Sequence, residues 1–144
     1  IGIDSLKCAS PIAERTGVLD PASAGAGMYW NWNSGYIFVK MEGACDVATS
    51  RDKKFRYHIG GFGGYESQTL NNIKNIQLKI PVAKVKKDQS EPSRINIICD
   101  ASKVMNGSTN VSIAEKSTVM FAPFSVKIAD NYASMFSVDN VHNN

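Results

Sequence analysis

Short apolar segments separated by turn-forming residues are the feature that most restricts the folds open to this chain. Each segment is rich in β-branched and aromatic side chains and is bounded by Gly, Pro, Asn or Ser. The predicted strands cover residues 35–42, 54–60, 76–85, 94–100 and 124–129, and residues 110–115 form a further short strand or a loop. Because strands do not alternate with long helices, we predict a mainly β fold, an antiparallel β-sandwich, rather than a parallel α/β sheet.

The segment 54–60, KFRYHIG, shows the strand pattern most clearly. Successive side chains of a strand point to opposite faces of the sheet. The apolar face carries Phe55, Tyr57 and Ile59. The polar face carries Lys54, Arg56 and His58. We therefore expect the first face to pack in the core and His58 to be half-exposed.

One or two short helices are predicted beside the strands. One lies in residues 130–141, where apolar side chains recur at the helical spacing i, i+3 and i+4, namely Tyr132, Met135 and Phe136. Asp130 or Asn131 is available as its N-cap. The other lies in residues 101–107 and ends at Gly107.

Length and charge indicate one domain without a nucleic-acid partner. The chain has 144 residues, of which 43% are hydrophobic, so a single domain over residues 1–144 can bury a core. The net charge is only +3, and the densest basic run, residues 84–88, is interpreted as a solvated strand end. No apolar run approaches the ~20 residues of a transmembrane helix.

The three cysteines do not have the spacing of a zinc site, because none forms a CxxC pair. Cys99 falls in an apolar strand and is predicted to be a buried free thiol. Cys8 and Cys45 lie in polar, loop-like sequence on either side of residues 28–43, the segment that contains both tryptophans and is called the aromatic segment below. A disulfide between Cys8 and Cys45 is expected if the protein is located in an oxidising compartment.

The residues that carry chemistry argue against an enzyme and leave a metal site open. The sequence contains no GxSxG motif, and its carboxylates are scattered rather than paired. The chain has two histidines, His58 and His142, and their spacing alone does not show whether they meet. Two imidazoles that share a metal suit copper or zinc better than magnesium or calcium.

Both tryptophans lie within residues 28–43, MYWNWNSGYIFVKMEG. Trp30 and Trp32 are two positions apart, so on a strand they share a face. One interpretation is core packing, and the other is an exposed platform that binds a glycan or a protein. On a strand, Asn31 and Asn33 point away from the tryptophans, which weakens the platform.

Four sequence blocks follow one another along the chain: LDPASAGAGMYWNWNSGYIFVKMEG, FRYHIGGF, INIICDASKVMNG and SVKIADNYASMFSVDNVHNN. In this order they resemble the MbnP-like family of bacterial periplasmic or surface copper-binding proteins, in its Bacteroidetes-type branch. The resemblance implies a β-rich fold with a mononuclear copper site. By position, it implicates His58, His142 and the Trp30/Trp32 block.

In some members of the family the copper ligands include a tryptophan oxidised to kynurenine by a MauG-like di-haem partner. The resemblance extends this expectation to Trp30 or Trp32 of this chain. Members usually begin earlier than the GID at residues 2–4. The resemblance therefore implies a preceding segment that contributes further strands and that alone could carry a membrane anchor. Without those strands, sheet edges are open and can pair with another chain.

The leading functional hypothesis is a copper-binding protein that is periplasmic, on the cell surface as a lipoprotein, or secreted. It would acquire, store or hand over copper and would catalyse no reaction of its own. The alternative is a surface module that recognises a glycan or a protein through Trp30 and Trp32. A third hypothesis is a purely structural domain in which the tryptophans and histidines bind no ligand.

Overall fold

A computed structural model describes residues 1–23, 26–82, 84 and 91–143 of the chain. The strands are β1 (Tyr29–Asn31), β2 (Gly35–Ala44), β3 (Lys54–Gly60), β4 (Arg94–Cys99), β5 (Thr118–Val119) and β6 (Phe136–His142). The α-helices are α1 (Ser5–Ala9) and α2 (Phe124–Ala133), and short 3₁₀ helices cover Ile12–Glu14, Gly17–Leu19 and Ala101–Val104. Within the described residues, no helix is long and apolar enough to span a membrane.

The strands form two sheets. One has the order β1-β2-β3-β5, with β5 parallel to β3 and the other neighbours antiparallel. The other is the antiparallel pair β4–β6, called the ribbon below. The predicted mainly β, mostly antiparallel, sandwich-like fold with few short helices is therefore confirmed.

The main core lies between the inner face of β2–β3 and helix α2. It contains the alternate residues Tyr57 and Ile59 of β3, both fully buried, and Ile128, Ala129 and Tyr132 of α2. Strands β2 and β3 were predicted within two residues of their observed ends, and the apolar face of β3 is the buried one. The polar side chains of β3 consequently lie on the outer face of the sheet.

A smaller cluster lies under the N-terminal segment. It contains Cys8, Tyr36 and Phe62, all buried. Arg15 covers this cluster: it is only 7% exposed, and its guanidinium stacks over the Tyr36 ring at 5.2 Å. Arg15 also donates to the Cys8 carbonyl oxygen at 2.7 Å. The segment is thus fixed to the beginning of β2 by one buried cation that contacts backbone and aromatic groups.

A bulge near the start of β2 sets the register of the four-stranded sheet. Ile37 pairs with Gly60 and Val39 with Ile59, so one extra residue of β2 lies between the two pairs. A Cβ at position 60 would lie 2.9 Å from the Ile37 Cα and closer still to a carbonyl oxygen, which explains the glycine. Beyond the bulge, Lys40 pairs with His58.

A short helix near the C-terminus is confirmed, but its predicted bounds were wrong, as was the predicted strand at 124–129. Residues 124–129 are helical rather than a strand, and the predicted helix 130–141 ends at Ala133 and gives way to β6. The helix begins after Pro123, so neither Asp130 nor Asn131 caps it. Its buried residues recur at helical spacing from the first turn: Ser125, Ile128, Ala129 and Tyr132.

Three smaller predictions had different outcomes: the strand at 76–85 is not formed over its described part, the helix at 101–107 was predicted too long, and the loop alternative at 110–115 is confirmed. Residues 76–82 form no strand, because Pro81 has no N–H to donate and its neighbours are exposed. The rest of the predicted strand, at positions 83 and 85, lies outside the described residues. So do residues 85–88 of the basic run. The helix predicted at 101–107 is a single 3₁₀ turn that ends at Val104. Residues 110–115 form a loop with one bridge, between Asn106 and Asn110.

Candidate functional site

The four residues predicted to bind metal lie in three different places. His58 is on β3 and Trp30 on β1 of the four-stranded sheet. Trp32 follows β1 in a tight turn. His142 is the last residue of β6, in the ribbon, and is exposed. The structure therefore does not bring the predicted set together.

His58 is held by a carboxylate on the outer face of the sheet. Its Nε2 lies 2.7 Å from Oε1 of Glu42, and its side chain is only 13% exposed. The register explains the contact: Lys40 faces His58 directly, and Glu42, two positions further along β2, projects from the same face. Lys40 Nζ lies 3.8 Å from the second oxygen of Glu42.

The charges on this face are mutually compensated. The hydrogen bond to His58, together with the Lys40 charge, lowers the pKa of Glu42 below its usual value. Next to it, Arg56 forms an ion pair with Asp52 and lowers the pKa of that carboxyl to about 2. Both carboxylates are therefore ionised at neutral pH.

The His58–Glu42 pair has the geometry that positions a metal-binding imidazole. An ionised carboxylate only accepts hydrogen bonds, so Nε2 donates to Glu42, and in the neutral form of the ring the lone pair is then on Nδ1. A ligating histidine ordinarily donates its other ring N–H to a carboxylate or a carbonyl, which fixes the ring and raises its basicity. The pair thus provides one oriented nitrogen ligand.

Neither tryptophan lies beside His58. Trp30 packs edge-on against Phe121, with ring centroids 5.1 Å apart, and Trp32 packs against Tyr65. The β1 backbone pairs with β2 at Tyr36, whereas His58 pairs with Lys40. Four residues of strand separate these positions by roughly 13 Å along β2. The indoles and the imidazole therefore belong to different parts of the surface.

The described part of the chain contains no group of three or more His, Cys, Asp or Glu residues arranged to hold a metal ion. His142 pairs with Arg94 at the far end of the ribbon. His58 has Glu42 as its acidic neighbour, and that carboxylate is already engaged by the ring. A complete mononuclear site is not formed by these residues alone.

Cys99 is a free thiol as predicted, but its predicted burial and the predicted Cys8–Cys45 disulfide do not agree with the structure. All three thiols are free, and Cys99 is exposed rather than buried because every residue of β4 is exposed. The Cys8 Sγ lies near Gly35, the first residue of β2. Cys45, in contrast, directly follows Ala44, the last residue of that strand. A strand of ten residues separates its ends by roughly 30 Å, beyond the reach of a disulfide. Burial raises the pKa of the Cys8 thiol.

Sequence reasoning missed Glu42 and Arg15. The alternation of polar Lys40 and Glu42 along β2 was a usable signal, but the contact with His58 also requires the bulge and its register. Arg15 gave no signal, since a charged residue in an apparently loop-like segment is ordinarily exposed.

Comparison with protein families gives one match, to the MbnP family, over residues 1–121. The matched range includes His58 and both tryptophans and ends before His142. Comparison with curated proteins and with solved structures gives no match. Since the matched range covers most of the 144 residues, the chain belongs to the MbnP family.

Proposed function

We propose that this protein binds copper in the periplasm, on the cell surface or after secretion, and passes it on without catalytic turnover of its own. Membership of the MbnP family supports the association with copper. The observation that carries the proposal is the His58 imidazole, held at 2.7 Å by Glu42 on the outer face of the sheet.

The chemistry of the His58–Glu42 pair suits copper. Neutral imidazole is a ligand that copper accepts readily, and Nδ1 remains available when Nε2 is bonded to Glu42. The opposite face of β3 is packed into the core through Tyr57 and Ile59, so the backbone that presents the ring is well supported. A ligand on such a support loses little conformational entropy when the metal binds.

The incomplete ligand set favours handover over storage. The described residues provide one oriented imidazole and no cluster of three His, Cys, Asp or Glu donors around it. Copper held at His58 would retain open coordination positions. A carrier or an acceptor molecule can then supply the remaining ligands, and the metal can move by ligand exchange.

The kynurenine and the MauG-like partner implied by the resemblance are not part of this proposed site. Both indoles have their own aromatic partners, Phe121 for Trp30 and Tyr65 for Trp32. An oxidised indole at either position would not reach the His58 ring. An intact mass equal to that of the unmodified chain, in protein from its native host, is the expected result.

Anaerobic Cu(I) titration against a chromophoric chelator tests the proposal. We expect about one equivalent bound by the unmodified chain and at least a tenfold loss of affinity for His58→Ala, because the anchoring nitrogen is removed. Glu42→Gln keeps the volume but removes the charge and should weaken binding by about tenfold. His142→Ala is the matched control and should leave the affinity unchanged. Full affinity in His58→Ala would overturn the assignment.

A further inference from the structure

Trp32, from the aromatic segment (residues 28–43), and Tyr65, from a separate loop, form an exposed pair of rings that we call the aromatic corner. Trp32 is 46% exposed and Tyr65 is 63% exposed. Their ring centroids are 6.3 Å apart and their planes meet at 88°. The two large rings stand nearly perpendicular to each other, and both are exposed to solvent. Their apolar area remains in water, although burial would have stabilised the fold.

The side chain of Asn33 fixes this corner by joining the two loops that carry the rings. Its Oδ1 accepts hydrogen bonds from the backbone N–H groups of Tyr65 and Glu66 at 3.0 Å and of Ser67 at 3.2 Å. Its Nδ2 donates to the hydroxyl of Ser67 at 2.8 Å. One amide therefore bonds three consecutive peptide groups of the loop that carries Tyr65.

Each loop also has local constraints of its own. The Asn31 Oδ1 accepts from the N–H of Asn33 at 2.9 Å and of Ser34 at 2.8 Å. Gly63 and Gly64 have φ values of +100° and +89°, which side-chain-bearing residues rarely adopt. The backbone that carries the two rings is consequently held in place before any ligand arrives, which lowers the entropy cost of binding.

The two segments that carry the rings of the corner are polar and contain no positively charged residue. Residues 28–35 and 61–70 contain neither Lys nor Arg, and Glu66 is their single charged residue. A single-stranded nucleic acid needs cationic side chains for its phosphates in addition to stacking rings, so it does not fit this site. The exposed neighbours Glu66 and Gln68 offer carboxylate and amide groups for hydrogen bonding.

We propose that the Trp32–Tyr65 corner binds a pyranose ring of a glycan. A pyranose has an apolar C–H face that stacks on an indole and a rim of hydroxyl groups that bonds to amides and carboxylates. The corner offers two exposed, perpendicular rings for stacking, and the loop that carries Tyr65 adds the exposed polar side chains of Glu66 and Gln68. It is separate from the His58–Glu42 pair, so glycan binding and copper binding are independent functions of the chain.

Fluorescence of copper-free protein tests this proposal. The variant Trp30→Phe keeps an aromatic ring against Phe121 and leaves Trp32 as the remaining indole, so its emission reports on the corner alone. Cellohexaose and chitohexaose are titrated separately. We expect at least one of them to change the Trp32 emission saturably. Tyr65→Ala in the same background should weaken that binding by about tenfold, because one aromatic ring is lost.

Phe121→Leu is the control, since Phe121 contacts Trp30 and not the corner. It should bind the oligosaccharide with unchanged affinity, and thermal unfolding checks that each variant is folded. No saturable change with either hexasaccharide would overturn the proposal. Equal affinity in the Tyr65→Ala variant and in its parent would also overturn it. A change of Trp32 emission with tetramethylammonium but with neither sugar would overturn it as well, because it would indicate a cation site.

Discussion

The two histidines of the chain lie on sheets of opposite character. His58 is on the four-stranded sheet, whose inner face is packed against α2 and whose outer face pairs the imidazole with Glu42. His142 is at the end of the ribbon, where all six residues of its partner β4 are exposed. The same side chain is therefore held in place on one sheet and presented to solvent on the other.

This difference shows that residue type alone does not define a ligand. A metal ligand needs an oriented lone pair, and orientation requires a packed backbone and a hydrogen-bond partner. His58 has both, through Tyr57 and Ile59 beneath it and Glu42 beside it. Among the residues that the structure describes, the ribbon offers His142 no carboxylate partner, and strand β4 opposite it is exposed along its whole length.

Truncating one isoleucine on each sheet should give the largest difference. Ile59 is fully buried on β3, whereas Ile97 is 53% exposed on β4. We expect Ile59→Ala to lower the free energy of unfolding by about 2–5 kcal/mol through lost burial and a residual cavity. Ile97→Ala should change it by no more than about 0.5 kcal/mol. Urea unfolding measures both, and equal losses would contradict the contrast between the sheets.

Thiol labelling should separate the same two regions kinetically. Cys8 is buried in the cluster under the N-terminal segment, and Cys99 is exposed on β4. Cys99 should react with a disulfide reagent at least about tenfold faster than Cys8, which must wait for a local opening of the fold. Mass spectrometry of peptides after timed labelling gives both rates. Without reductant, equal rates or an unreactive Cys8–Cys45 pair would contradict the structure.

The pH dependence of unfolding should also distinguish the ion pairs of the two sheets, with a smaller effect than the substitutions and the thiol labelling. Asp52 pairs with Arg56 beside His58, and its pKa falls from the ordinary 3.8 to about 2. A lowered native pKa stabilises the fold above pH 3.8, and this contribution is lost as the pH falls through about 2. Asp52→Asn should therefore destabilise the protein at pH 6 and converge with the parent near pH 2.

The exposed pair Glu91–Arg94, with 3.7 Å between its charged atoms, leads into the ribbon and is the matched control. Glu91→Gln should have no measurable effect on unfolding at either pH, because solvent screens so open a pair. Unfolding curves at several pH values make the comparison. A pH-independent loss in Asp52→Asn would show that its effect is not electrostatic.

The sequence predicted the elements whose pattern was unambiguous. Residues 54–60 alternate apolar and polar side chains over a whole strand, and β3 has those bounds. Residues 124–129 also alternate, but Ile128 and Ala129 belong equally well to a helical stripe with Tyr132, and the helix is what forms. Six residues are too few to separate the two periods, and packing against β3 decides between them.

The site was predictable only as far as one strand determines it. The outer position of His58 follows from the alternation of β3. Its contact with Glu42 depends on the bulge before Val39, which no local pattern indicates. The distance between His58 and the tryptophans, and the contact of Trp32 with Tyr65, depend on the arrangement of separate strands and loops. Such contacts depend on the three-dimensional fold.

The most direct test of the account is the state of the two imidazoles when Cu(I) binds. Cu(I) is diamagnetic, so the ring nitrogens of isotope-labelled His58 and His142 can be followed by NMR during an anaerobic titration. The account predicts that the Nδ1 signal of His58 shifts, that its Nε2 keeps the proton shared with Glu42, and that His142 is unaffected. A shift confined to His142, or no shift of His58 in copper-loaded protein, would contradict it.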